Sequence, residues 1–379
     1  MISRFTTILV LFVLWPSCAT NPVTGRSELQ LYNESQEIAM GVEHYPLEQQ
    51  VAGGEYTLDP DLSDYVRAVG RKVSAVADRP QLPYEFVIVN EGSWNAWALP
   101  GGKIALHRGL LEAMRNESEL AAVIAHEIVH AAARHSAQQM ERGVWMQMGV
   151  VTVASLAGEE NQQLAESAGT LVAGLGMLRY SRAAESEADY YGIQYMVRAG
   201  YDPKGAVTLQ ELFAENMDSS GGWLASHPAS IERVRKNQEA IAHHSGGYIG
   251  EAEYRTRTRL LRERAPAYDL YEKGLEALEK KNPQEALRLS LEARKRVPKE
   301  AQFFGLSARA YQAMGNNKAA MEAWNQAIQR NPDWYYYWLE RGLLQETFGN
   351  KTEARRDLKE SYERLPTQSA EDALKRLGA

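Results

Sequence analysis

The sequence predicts an α+β, mostly helical N-terminal domain with a small edge-stranded β-sheet, followed by an all-α solenoid. Three observations carry that expectation. A 34-residue period runs through the C-terminal third, two β-rich runs lie between Tyr84 and Leu106, and helical apolar spacing governs most of the rest. At 379 residues, 44% apolar and 24% charged, the chain is too long for one ordinary domain and too apolar for disorder. Its 42 basic and 49 acidic residues give a net charge of -7 with no Lys/Arg block, which argues against nucleic acid as a partner. The single cysteine, Cys18, excludes an internal disulfide and a Cys-built zinc site. A metal centre here has to use His and carboxylate ligands.

Residues 1–17 have the form of a secretory signal segment, with Arg4 followed by an apolar run from Ile8 to Trp15. That run is far shorter than the roughly 20 residues needed to span a bilayer. Pro16, Ser17 and Cys18 resemble a bacterial lipobox, with Trp15 where Leu is usual. The resemblance implies that Cys18 becomes an acylated first residue, and Ala19 after it is compatible with an outer-membrane destination; simple cleavage and release into the periplasm is the alternative.

Leu62, Tyr65, Val66, Val69 and Val73 then mark one face of a helix, and Tyr84 to Val89 and Trp94 to Leu106 mark strands. Pro100 cannot donate a ladder hydrogen bond, so its segment belongs at a sheet edge, where Gly101 and Gly102 allow another backbone to approach. Asn95, Leu99, Pro100, Gly101 and Gly102 are therefore candidates for holding an extended substrate as an added strand. A plain hairpin turn is the alternative. Asn116, with Glu119 three residues on, starts a helix expected to persist to about Met140. Val144 to Leu178 reads as two amphipathic helices or an active-site loop. Another helix spans Arg182 to Ala199 and stops at Gly200. A linker through His243, His244 and Gly246 leads to a charged helix over 251–266.

Within the helix that starts at Asn116, His126, Glu127 and His130 spell H-E-x-x-H. Histidines four apart share a helical face, so both can bind one zinc ion, with Glu127 beside the activated water as general base. A third ligand has to come from elsewhere. Glu185 and Asp189 share a face of the later helix while Glu187 points away, so Glu185 is expected on the metal and Asp189 behind it, accepting a ring N–H from a ligating histidine. An exposed acidic face pairing with Arg182 is the competing reading. His135 falls about 140° around the helix from His130 and is expected to be structural.

Prolines 298, 332 and 366 are 34 residues apart, as are Ala286, Ala320 and Ala354. Gly274, Ala308 and Gly342 form a second small position, and Leu270, Phe304 and Trp338 a bulky one. Residues 267–366 resemble three tetratricopeptide repeats, at 267–300, 301–334 and 335–368, closed by a polar cap helix.

His126 to His130, with Ser181, Arg182, Glu185, Glu187, Ala188, Asp189 and Gly192, resemble the paired H-E-x-x-H and S-R-x-x-E-x-E-A-D-x-x-G motifs of the HtpX-like and CaaX-prenyl-protease-like zinc metallopeptidases. Asn95 to Gly102 is similar to that family's N-A-F-A-L-P-G-G strand, and Ser226, His227 and Pro228 to its S-H-P motif. The resemblance implies a zincin-like metallopeptidase domain over 18–250, one Zn2+ on His126, His130 and Glu185, and catalysis by Glu127. His227 has three readings open to it: a hydrogen-bond donor to the oxyanion, a fourth ligand that displaces water, or a structural histidine. The repeats place the chain near the family's periplasmic branch, described with four repeats where this chain has three. That branch implies cleavage of misfolded or unassembled envelope proteins, with the repeats engaging the outer-membrane β-barrel assembly machinery. A repeat-built chaperone or adaptor with a latent metal site is the rival.

Overall fold

The computed structural model describes residues 17–142, 180–216, 221–227, 231–242, 244 and 246–378. The apolar run of the signal segment, the stretch from Val144 to Leu178, Pro228 and His243 lie outside the described residues.

Strands β1 (Ser17–Thr20) and β2 (Ser27–Gln30) form a hairpin that pairs Cys18 with Leu29. Helix α1 (Glu34–Val51) opens with a capping box between Asn33 and Gln36. Helix α2 (Pro60–Ser74) has Asp59 as its N-cap and buries the predicted face of Leu62, Tyr65, Val66, Val69 and Val73. The central sheet holds β3 (Glu85–Val89), β4 (Ala96–Leu99) and β5 (Lys103–His107) in the order β3-β5-β4, with β3 parallel and β4 antiparallel to β5. β4 is thus an edge strand, in keeping with Pro100 at its end.

The Pro-Gly-Gly segment itself corrects the substrate expectation. Gly101 and Gly102 take φ of +75° and +85° in the β4–β5 turn, and a Cβ on Gly101 would lie 2.7 Å from Ile38 Cα. A Cβ on Gly102 would lie 2.7 Å from the Tyr84 ring. The backbone that Gly101 admits is that of α1, and Gly102 makes room for the Tyr84 ring, so neither faces an incoming peptide. Leu99 is fully buried beneath the same turn. Leu99, Pro100, Gly101 and Gly102 are therefore hairpin and core residues.

After α3 (Arg108–Ala113), helix α4 (Glu117–Ala132) runs buried along its whole length. Its N-cap is Asn116, which accepts from Glu119 N at 2.9 Å; the Glu119 carboxylate reaches back to Arg115 N at 2.6 Å, one residue beyond a regular box. The helix also stops short of Met140. Arg134 adopts φ +63°, and helical structure resumes over 135–142. A left-handed non-glycine residue costs about 1–2 kcal/mol. Here the Arg134 guanidinium offsets it by bonding Glu37, Glu141 at 3.1 Å and Tyr32 O at 2.9 Å.

Helix α5 (Arg182–Arg198) is capped by Ser181, ends at Gly200, and lies against α4; a Cβ on Gly192 would sit 3.3 Å from His126 N. Helices α6 (Lys204–Glu215), α7 (Gly221–Ser226) and α8 (Ile231–Ile241) follow, with α6 against α4 and α8 against α5.

The C-terminal part is an all-α solenoid. Helices α9 (Glu251–Arg257) and α10 (Arg259–Glu279) lead into α11 (Pro283–Arg296), and two further hairpins follow: α12 (Ala301–Ala313) with α13 (Asn317–Arg330), and α14 (Tyr335–Thr347) with α15 (Lys351–Arg364). The repeating alanines 286, 320 and 354 are fully buried, and a Cβ on Gly274 would meet Leu306 at 2.5 Å, so the small positions set the helix spacing. Cap helix α16 (Gln368–Arg376) buries Ala370 and Ala373.

The expected linker over 251–266 is not a separate element. α10 runs unbroken through 266, and Tyr254, fully buried, donates its hydroxyl to Leu111 O at 2.6 Å. One apolar core joins Val66, Ile88 and Ile128 to Leu261, Ala293 and Phe303. A buried polar clamp crosses the same boundary: Arg108 lies 3.4 Å over the Tyr268 ring and donates to Asn90 Oδ1 at 3.0 Å, while Gln302 Nε2 donates to Asn90 O at 2.8 Å.

Candidate metal centre

Helix α4 supplies His126, Glu127 and His130, helix α5 supplies Glu185 and Asp189, and the residue after α7 is His227. His126, His130, Glu185 and His227 are all buried, and each offers one donor atom within 4.8 Å of the others. His126 Nε2 stands 3.1 Å from His130 Nε2 and 3.2 Å from His227 Nδ1. Glu185 lies 3.5 Å from both His126 Nε2 and His130 Nε2, and 3.0 Å from His227 Nδ1. The two helices thus meet as the i, i+4 spacing on each required.

Behind these donors stands a second layer. His126 Nδ1 faces Asp189 Oδ1 at 3.2 Å, the contact expected of Asp189. Asp189 is itself gripped by Arg233 on α8, at 2.7 Å from Nε and 2.8 Å from Nη2, and Arg233 Nη1 reaches Glu185 Oε2 at 2.9 Å. Tyr180 stacks on His130 with ring centres 3.8 Å apart, and Trp223 stacks on His227 at 4.2 Å. Glu187 does point away from the donors, as its helix position predicts. His135 does not sit apart from the site: its Nδ1 lies 3.0 Å from His130 Nδ1. Sequence reasoning passed over Arg233, Tyr180 and Trp223, for which no spacing rule gives a signal, and misplaced His135, whose position depends on the break at Arg134.

The charges at this site are far from their ordinary balance. Burial alone would lower the pKa of His126, but hydrogen bonds to Asp189 and Glu185 outweigh it and raise His126 to about 9. Burial drives His130 well below its usual value, with the neighbouring His126 adding to the effect. Burial would raise Glu185, yet His227 and His126 hold it well below the carboxylate range. For Glu127 burial wins and its pKa is raised, against the pull of His227 and His126. Among the described residues, neither Glu127 oxygen nor His227 Nε2 has a hydrogen-bond partner. Orphaned buried polar atoms of this kind are rare and costly. Three imidazoles and a carboxylate, buried and converging on one another, fit a divalent cation of the zinc type.

A cavity of about 390 Å3 is bounded by Asn95, Trp97 and His107 at the sheet, Val51 on α1, and Ala225 and Ser226 on α7, the last of these next in the chain to His227. Of the five strand residues singled out from sequence, Asn95 is the one that lines it. Antiparallel pairing with β5 turns the peptide groups of Ala96 and Ala98 to the outer edge of β4. The Ala98 carbonyl is already taken by Ser136 Oγ at 3.1 Å and the Tyr180 hydroxyl at 3.4 Å. Ala96, at the other end of the strand, is itself fully buried.

Residues 60–241 match the model of peptidase family M48. The chain is 32% identical over 232 residues to the "Beta-barrel assembly-enhancing protease" of Yersinia pestis, covering 58% of this chain and 47% of that protein. It is 36% identical over 184 residues to the "Mitochondrial metalloendopeptidase OMA1" of Schizosaccharomyces pombe, covering 46% and 52% respectively. The chain thus spans about half the length of the curated relatives it matches. A solved Arabidopsis OM64 TPR domain overlays 30% of this chain and 96% of its own, with 23% identity and a TM-score of 0.30. With the H-E-x-x-H helix, the Glu185 helix and the family match all falling on one segment, residues 60–241 form a peptidase family M48 domain.

Proposed function

We propose that the chain is a zinc-dependent endopeptidase of the bacterial envelope that hydrolyses misfolded or unassembled envelope proteins. The observation that carries this reading is the buried group of His126, His130 and Glu185 with the buried carboxylate of Glu127, which makes no hydrogen bond among the described residues, next to His126 on the same helix. Zinc held by those three side chains would supply Lewis acidity to a scissile carbonyl and to water. Glu127, its basicity raised by burial, takes the proton from that water and delivers it to the leaving amine. Asp189, braced by Arg233, keeps His126 in the tautomer that presents Nε2. A peptide extended past Asn95, which lines the cavity, would be held through main-chain bonds with little demand on its side chains, which suits unfolded clients.

His227 enters the donor group through Nδ1 and lies 3.4 Å from Glu127 Oε1 through Nε2. This geometry supports the fourth-ligand reading, in which His227 would join His126, His130 and Glu185 in holding the cation. The repeats provide a docking surface for a client or partner. Support for the outer-membrane β-barrel assembly machinery as that partner comes from the name of the Yersinia pestis relative. Residues 1–17 and Cys18 support export to the periplasm and a lipid tether at the outer membrane, and no helix among the described residues is long and apolar enough to cross a membrane.

The test is degradation of an unfolded outer-membrane β-barrel protein by the wild-type chain and by Glu127→Gln, which should keep its zinc. Cleavage by the wild type with none by the variant supports the enzyme. Equal degradation by both contradicts it, and trapping of clients from envelope extracts by Glu127→Gln then distinguishes a protease from an adaptor. For the tether, palmitate labelling that persists in Cys18→Ala contradicts acylation at Cys18.

A further inference from the structure

His130 can offer Nε2 to a cation only if its proton resides on Nδ1. That buried N–H needs an acceptor. The acceptor in place is Nδ1 of His135, 3.0 Å away, and His135 is itself buried. Its own tautomer follows: with Nδ1 accepting, the proton sits on Nε2, which faces Glu187 Oε2 at 3.4 Å. Glu187 is anchored in turn by Arg26, 2.5 Å away in the β1–β2 hairpin. A regular helix would carry His135 about 140° away from His130. The left-handed Arg134 is what brings its ring back.

The two histidines of the H-E-x-x-H motif therefore have different outer partners. His126 leans on a carboxylate, Asp189, while His130 leans on a neutral imidazole that leans on a carboxylate. Building on the zinc reading above, we propose that His135 and Glu187 are the positioning pair for His130, fixing its tautomer and ring plane for the metal. Glu187, which cannot reach the cation, acts on it at second remove.

The test uses the full chain, measuring the zinc dissociation constant by chelator competition and the visible spectrum after cobalt substitution. His135→Leu should raise the zinc Kd about 10- to 100-fold and change the cobalt spectrum. His135→Asn, whose side-chain oxygen can accept in the place of Nδ1, should recover most of that loss. Glu187→Gln, altered at a partly exposed site outside the core, should weaken zinc by a smaller factor and serves as the test should His135→Leu not fold. An unchanged Kd in both His135→Leu and Glu187→Gln overturns the positioning role while leaving the zinc reading intact. A His135→Asn defect as large as that of His135→Leu overturns it too, since packing rather than the hydrogen bond would then be at work. A wild-type chain that binds no stoichiometric zinc overturns the metal reading and this inference with it.

Discussion

Arg233 holds Asp189 in a two-point grip, Nε to Oδ2 at 2.7 Å and Nη2 to Oδ1 at 2.8 Å, across the interface of α8 and α5. Both side chains are buried, and Glu185 shares the same guanidinium. Replacing Arg233 by Met leaves two buried carboxylates without that cation, a loss worth about 3–5 kcal/mol when one partner of a buried pair is removed. Urea unfolding of the variant should show a loss of that order, with Lys at the position recovering only part because it lacks the planar fork. Wild-type stability in Arg233→Met would mean that the grip is incidental.

His227 gives the site a second, opposite expectation. A side chain that fills the fourth corner slows hydrolysis, so His227→Ala should cleave short unstructured peptides faster than the wild type by several-fold. Slower cleavage with zinc retained would point to the oxyanion-donor role instead.

The pH dependence of folding should carry the mark of His107. Burial lowers its pKa to about 4, despite a hydrogen bond with the Ser93 backbone that works the other way. The unfolded chain protonates this histidine near pH 6.5, whereas the folded chain keeps it neutral to about pH 4, so the unfolded state binds more protons between those values. Stability present above pH 6.5 is therefore lost as pH falls toward 4, by up to about 3 kcal/mol. Chemical unfolding at pH 7 and pH 5 should show that slope in the wild type and a shallower one in His107→Gln.

Zinc uptake should release a proton. In protein prepared without metal, His126 at about 9 is cationic at pH 7, and it binds zinc only as the neutral ring. Apparent zinc affinity should rise with pH up to about 9, and calorimetry in buffers of different ionisation enthalpy should detect the proton. Uptake without proton release would contradict the paired state of His126, Asp189 and Glu185.

Much of this was legible in the residues themselves. The i, i+4 spacings at His126/His130 and Glu185/Asp189 carry their own geometry, because each pair rides on one unbroken helix. The repeats were legible for the same reason: their small positions recur with fixed local structure. What failed was whatever depended on a break or on a distant neighbour. His135 was misplaced because the helix projection cannot foresee a left-handed Arg134, which is held by Glu37 and Glu141 from two other segments. Gly101 and Gly102 do permit a close approach, but the sequence does not say of what, and it proved to be the α1 backbone at Gly101 and the Tyr84 ring at Gly102. The boundary at 266 vanished because α10 packs into the peptidase core through Leu261 and Tyr268, a contact between residues far apart in the chain.

Metal analysis of the purified chain, alongside peptide hydrolysis, bears most directly on the central claim. The account predicts one zinc per wild-type chain, retained in Glu127→Gln, which is inactive, and largely lost in Glu185→Gln, which is inactive as well. A Glu185→Gln chain that keeps a full equivalent of zinc and cleaves at the wild-type rate would contradict it.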